Sequence, residues 1–366
     1  MSAATESPGA LARTLVGVTE LIDQTLVLAM GQARLAVRSN SAELLDTLGD
    51  YFAHCLVPGE TADLEVIAIE REAPELKVDF LDWSREAGKT GRKDSILDLP
   101  GGRLVRKVRT GMVFLQSATQ RIAAGPCRAN VNQVVNFILA QYMNHLQQAD
   151  WRICHAAALV HEGRALAIAG FSGGGKSTAM LRALEHPGTA FLTNDRLFLK
   201  RQGSGVRAAG VPKQPRINPG TVLHNSRLEA LIPAERREVL RALPSAELWE
   251  LEEKHDVPIA TFYGPQRLIA EAPLAAFVVL NWRRDDASPT RVTAVDLEPR
   301  RDLLAAIMKS PGPFYQHANG RFEADGEPLD EAAYLAVLEG IPVYEVTGGI
   351  DFSALVEGHL YPLMEG

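Results

Sequence analysis

Residues 170–178 read Gly170-Phe171-Ser172-Gly173-Gly174-Gly175-Lys176-Ser177-Thr178, the pattern G-x-x-x-x-G-K-[ST] of a phosphate-binding loop. Three consecutive glycines let the backbone turn tightly and aim its N–H groups inward, where a Cβ would obstruct. The N–H groups at the start of the helix that follows add partial positive charge. In that arrangement Gly170, Ser172, Gly173, Gly174, Gly175, Lys176, Ser177 and Thr178 cradle the phosphates of a nucleotide. Lys176 reaches the β- and γ-phosphates as a point charge, and the Ser177 hydroxyl ligates Mg²⁺. The plainer alternative is a Gly-rich strand-to-helix turn, and the flanks speak against it. Residues 164–169 form a short apolar run that suits a buried parallel strand. Residues 179–184 carry apolar side chains at helical spacing, and Pro187-Gly188 stops that helix.

Other residue types with chemistry lie near this loop in sequence. Asp195 follows Lys176 by nineteen residues, at the end of the next apolar run, 190–193. An acid there can hold Mg²⁺ through water or take a proton from an attacking hydroxyl. It can also be a loop-forming or helix-capping Asp. His155 lies on a strand expected to pair with the loop's strand. It either orients that acid or is a satisfied core histidine. Residues 210–220 hold three prolines, which makes them stiff and extended. Stiffness would hold Lys213 and Arg216 as further cationic contacts to phosphate, unless the run is a surface loop with no such role. The charge run 252–256 reads as a solvated helix end, with Asp256 an outside candidate for the site.

The elements that must position these groups divide the chain in two. At 366 residues it is long for one core. Residues 1–14 read as a flexible tail without the basic start and apolar core of a secretion signal. Strands are expected at 34–38, 64–69 and 77–80 and on both sides of Pro100-Gly101-Gly102, with a helix over 41–55. Residues 1–125 thus form an α+β domain. A boundary near Gly125-Pro126 and a linking helix over 130–148, whose asparagines read as solvated or capping groups, lead into a second domain, 126–366. There 151–160 reads as one strand, Glu162-Gly163 as a turn, and 275–280 and 343–346 as further strands. Helices are expected at 301–308 and 329–338.

Bulk properties exclude several classes. A net charge of −7 gives no electrostatic case for nucleic acid or an anionic membrane. No apolar run approaches the ~20 residues of a membrane-spanning helix. Cys55, Cys127 and Cys154 are odd in number and scattered, which points to reduced thiols and a cytoplasmic protein.

A His155-Ala156 strand, the loop Gly170 to Ser177 and the short step to Asp195 together resemble HPr kinase/phosphorylase. The runs 132–137, 212–221 and 248–254 are more closely similar to the branch called HprK-related kinase B. This resemblance implies an α/β fold: a P-loop kinase core of the HPr kinase and phosphoenolpyruvate carboxykinase type, preceded by a smaller α+β domain. It also implies Mg-ATP and transfer of the γ-phosphate to a hydroxyl, with a protein serine among the candidate acceptors, and it makes a homo-oligomer plausible. In the parent family two adjacent aspartates end the strand, and the first is the base that pairs with the histidine. Here that position is Asn194, and an amide takes no proton. Either Asp195 does both jobs, or the one-residue-longer connection at 186–188 moves Asp195 into the base position, or catalysis is altered. The expected roles are Asp195, His155, Lys176 and Arg216 in catalysis, Lys213 with the loop on phosphate, and Ser177 and Asp195 on the metal. The acceptor, protein or small molecule, is not named by the sequence. An ATPase without acceptor and a nucleotide-binding regulator are the competing functions. The ATPase class is weakened by the lack of N-K-x-D and L-S-G-G-Q motifs.

Overall fold

The computed structural model describes residues 7–59, 61–84, 91–171 and 173–365. It is a mixed α/β chain with two large sheets. The chain divides into two compact units. One comprises residues 1–151 with 310–329, the other 152–309 with 330–366.

In the first unit, eight strands form one sheet: β1 (Thr25–Met30), β2 (Ala33–Ser39), β3 (Leu64–Glu70), β4 (Leu81–Trp83), β5 (Asp94–Leu99), β6 (Gly102–Lys107), β7 (Val113–Ser117) and β8 (Arg121–Gly125). Their order is β1-β2-β3-β8-β7-β6-β5-β4. Alternation along β7 assigns the two faces. Val113 and Leu115 pack with Leu11 and Leu15 of α1 (Pro8–Val16). Phe114, between them, meets Phe137 of α3 (Val131–Gln148) at a centroid distance of 5.0 Å. The helix α2 (Ala42–Tyr51) lies beside α3, its N-terminus capped by Ser41.

Four expectations change here. Residues 8–14 are not a tail: Ser7 caps α1, Pro8 opens it, and Leu11 and Leu15 are buried. Nor does the structure follow a cut at Gly125-Pro126, because α3 spends its apolar face on the sheet of the first unit. Residues 310–329 return to that unit, with the Phe314 ring on Phe114 and Phe137. Within α3, Asn144 is buried rather than solvated, and it donates to the Phe314 carbonyl at 2.7 Å. Helical periodicity reveals an apolar face but not which sheet that face covers. Finally, the short strand expected at 77–80 lies at 81–83.

In the second unit, nine strands form the sheet: β9 (Arg152–Cys154), β10 (Ala156–His161), β11 (Arg164–Gly170), β12 (Ala190–Thr193), β13 (Leu197–Gln202), β14 (Gly205–Gly210), β17 (Glu271–Leu280), β18 (Arg291–Ala294) and β19 (Val343–Thr347). A separate ribbon pairs β15 (Arg216–Ile217) with β16 (His255–Asp256). The order is β12-β10-β11-β17-β14-β13-β9, with β19 also on β17 and β18 on β19. β11, β17 and β19 run parallel, whereas β10 and β11 form an antiparallel hairpin through Glu162-Gly163, both at positive φ. The unit also holds helices α4 (Lys176–Ala183), α5 (Pro219–Leu223), α6 (Ala234–Arg241), α7 (Ser245–Glu250), α8 (Ile259–Tyr263), α9 (Arg301–Ile307), α10 (Glu331–Leu338), α11 (Phe352–Leu355) and α12 (Tyr361–Glu365). Leu166 and Ile168 of β11 share a buried core with Met180 and Leu181 of α4 and Val278 of β17. The strand expected over 151–160 is broken in two at His155, because β9 pairs with β13 while β10 pairs with β11 and β12. Among the described residues all three cysteines are free and buried, and no helix is long and apolar enough to cross a membrane.

Candidate active site

β11 ends at Gly170 and α4 begins at Lys176, so the glycine loop joins a buried strand to a helix N-terminus. Gly173 and Gly175 have φ of +75° and +84°, conformations that side chains rarely adopt. A Cβ on Gly170 would lie 2.9 Å from the Leu280 carbonyl oxygen, and one on Gly175 would lie 2.6 Å from the Phe352 ring. The Gly173 Cβ position opens on free space. A side chain would thus be blocked at Gly170 and Gly175 and meet nothing within 4 Å at Gly173. Trp282, just past β17, fixes it by donating Nε1–H to the Gly174 carbonyl at 2.9 Å. Ser172, one of the expected phosphate contacts, lies outside the described residues.

Lys176 Nζ donates to the Gly170 carbonyl at 2.7 Å, so its ammonium is folded back over the loop. Burial pushes that ammonium down to about 8; Asp195 acts against this and Lys309 adds to it. Ser177 stands in the first turn of α4, where a hydroxyl and a helix N-terminus suit a metal-bound phosphate. Thr178 differs from expectation. Its hydroxyl is buried and shares a 2.8 Å bond with Thr221, tying α4 to α5, so only its backbone N–H is left to offer a phosphate.

Asp195 follows β12, and its Oδ1 lies 3.2 Å from His155 Nε2. The other oxygen, Oδ2, lies 3.6 Å from Lys309 Nζ and 3.8 Å from Arg196 Nε. Burial pushes this carboxyl up, but the His155 hydrogen bond and the charges of Lys309 and Arg196 outweigh it and hold it well below the usual carboxylate range. Asn194 is the contrasting neighbour: its Oδ1 is buried and without a partner. The strand before these two residues, β12, is irregular. Ala158 of β10 faces Thr193, but Leu159 faces Phe191, so Leu192 is a β-bulge. One extra residue shifts the next side chains along by one place, a known way of re-aiming a group beside a site. The bulge depends on Gly210 at the end of β14, whose Cβ position would run into the Leu192 carbonyl oxygen. Gly210→Ala should cost about 3 kcal/mol of stability by forcing backbone apart, read as a lower denaturation midpoint.

The proline-rich run is held as well as stiff. Val257 N–H donates to the Pro215 carbonyl, and Arg216 Nε pairs with Asp256 Oδ1 at 3.1 Å across the β15–β16 ribbon. His255 and Asp256 are thus ribbon residues rather than a solvated helix end. Burial pushes Lys213 down to about 8, with Arg196 and Arg216 acting in the same sense and Asp195 and Asp256 against it. Lys213 therefore senses both the acid and the arginine pair. A cavity of about 660 Å³ runs beside α4, lined in part by Arg182, Glu185, Arg227, Phe352 and Tyr361. Phe352, which lines this cavity, also abuts Gly175.

Comparison with known proteins adds little. No family model matches the sequence. No curated protein matches it. Among solved structures 56 chains match, including the HPr(Ser) kinase/phosphatase from Coxiella burnetii. That match has 16% identity and a TM-score of 0.29, and covers 59% of this chain and 99% of that one. With identity and score this low, it says nothing about activity.

Sequence reading missed Lys309, Arg196 and Trp282. Lys309 carries one local sign, a cation at a helix end before Ser310-Pro311-Gly312, but nothing linear links it to Asp195. A separate group of possible metal ligands, His317, Glu323 and Glu327, is already engaged, because Arg321 bonds both Glu327 oxygens and His317 Nε2, and Glu323 Oε2 lies 3.0 Å from His317 Nε2.

Proposed function

We propose that this chain is an ATP-dependent phosphotransferase of the HPr kinase type, moving the γ-phosphate of ATP to a hydroxyl. One observation carries this reading: an acid held by an imidazole, Asp195 on His155, within electrostatic range of a phosphate-loop lysine. The glycine cradle and Lys176 would take the β- and γ-phosphates, while Ser177 and Asp195 would hold Mg²⁺. Bound Mg²⁺ would supply charge neutralisation across the phosphates. Asp195 would orient the acceptor hydroxyl and receive its proton, with His155 steadying the carboxylate. Lys213 and Arg216 would face charge that builds on the migrating phosphoryl group.

The nucleoside half of ATP would occupy the cavity beside α4, which Phe352 lines. Arg182 lies about 9 Å along the helix from Lys176 at the usual rise per residue, a span comparable to that from β-phosphate to base. Phe352 offers the base an aromatic face, with the Arg182 guanidinium 5.4 Å from its centroid. Phe352→Ala should therefore weaken ATP about 10-fold more than it weakens tripolyphosphate, read by calorimetry. Equal losses for both ligands would remove the base from this cavity.

The function itself is tested by incubating the protein and a cell lysate with γ-labelled Mg-ATP. Label on a macromolecule or metabolite, lost in a Lys176→Ala control, is the expected outcome. Label only as free phosphate would favour an ATPase, and no label would favour a nucleotide-binding regulator.

A further inference from the structure

Two short segments meet beside Asp195, and each delivers one of its partners. Residues 153–155 carry His155, and residues 307–309 carry Lys309. Cys154 and Met308 face one another in an isolated antiparallel bridge, and the His155 amide donates to the Ile307 carbonyl at 2.7 Å. A third element locks them. Tyr334 on α10 is buried, donates its hydroxyl to the Ile153 carbonyl at 2.5 Å and accepts from the Lys309 amide at 3.3 Å. The result is that one carboxylate oxygen of Asp195 faces His155 and the other faces Lys309. A lysine side chain has four rotatable bonds and points reliably only when its backbone is fixed, which the bridge and the tyrosine achieve.

We propose that Lys309 is a positioning residue for Asp195, aimed by Tyr334, so that the carboxylate meets the acceptor hydroxyl in one orientation. This rests on the phosphotransfer function proposed above. Arg196 also lies near Oδ2, but it neighbours Asp195 in the chain and is not tied to the bridge. Lys309 reaches Asp195 from a different element and completes the clamp.

The test compares full-length wild type with Lys309→Met, Lys309→Arg and Tyr334→Phe. It reads turnover of γ-labelled Mg-ATP, ATP affinity by calorimetry and the thermal midpoint. Lys309→Met should lower kcat about 100-fold, the cost of a misplaced catalytic group, with ATP affinity and midpoint near wild type. Lys309→Arg should recover most of the loss, and Tyr334→Phe should lower kcat in the same direction by less. Wild-type turnover in Lys309→Met overturns the inference, as does failure of arginine to rescue. A weakening of ATP that accounts for the whole loss would make Lys309 a phosphate ligand and also overturns it. If wild type itself turns over no ATP, the proposed function falls and this inference with it. An active wild type beside an equally active Lys309→Met removes this inference alone.

Discussion

Lys176→Ala should weaken Mg-ATP binding about 100-fold, the ~2.7 kcal/mol expected for losing a charge-assisted contact in a partly dry site. The lysine sits at the one place where the cradle concentrates positive charge, at the first residue of α4 and folded against the Gly170 carbonyl at 2.7 Å. Phosphate would replace that carbonyl as its partner. The backbone N–H groups survive the substitution, so weak binding of tripolyphosphate should persist. The pH dependence has a definite sign. In the free protein the ammonium loses its proton near about 8, whereas a bound triphosphate favours the charged form and raises that value. Affinity should thus be full below pH ~8 and fall as pH rises above it. Lys213, pushed down to about 8 as well, should steepen the fall. Calorimetry across pH checks both statements. An unchanged ATP affinity in Lys176→Ala would dispose of the phosphate-loop assignment.

Asp195→Asn should abolish transfer while ATP stays bound. An amide keeps the size of the side chain and can accept the His155 hydrogen bond, but it takes no proton. The expected loss in turnover is about 1,000-fold, in the range for a removed general base. Binding should hold or tighten, because the substitution deletes a negative charge that acts on both Lys176 and Lys213. Single-turnover measurements with γ-labelled ATP separate the two effects. Full activity in the variant would take Asp195 out of the mechanism. Asn194 offers no substitute, since an amide takes no proton.

Much of this site can be read from residue order because its geometry is local. Gly170 to Thr178 is a contiguous loop whose shape follows from the freedom of glycine. The hairpin through Glu162-Gly163 and the helix ending before Pro187-Gly188 are likewise set by neighbours in sequence. Asp195 stands at the end of a short apolar strand that is visible as such. Residue order alone thus settles the loop, its flanking strand and helix, and the acid's approximate place. The partners of the acid are a matter of tertiary contact. His155 reaches Asp195 because β9 and β10 part to join different neighbours, a choice made by distant β13 and β12. The bulge at Leu192, shortly before Asp195, has its carbonyl where a side chain on distant Gly210 would lie. Lys309 and Tyr334 arrive from over one hundred residues away. The same holds for the division of the chain, where α3 and residues 310–329 join the first unit through Phe114, Phe137 and Phe314. Local conformation follows from propensity and spacing, whereas strand pairing, bulges and ion pairs between elements depend on which surfaces find each other in three dimensions.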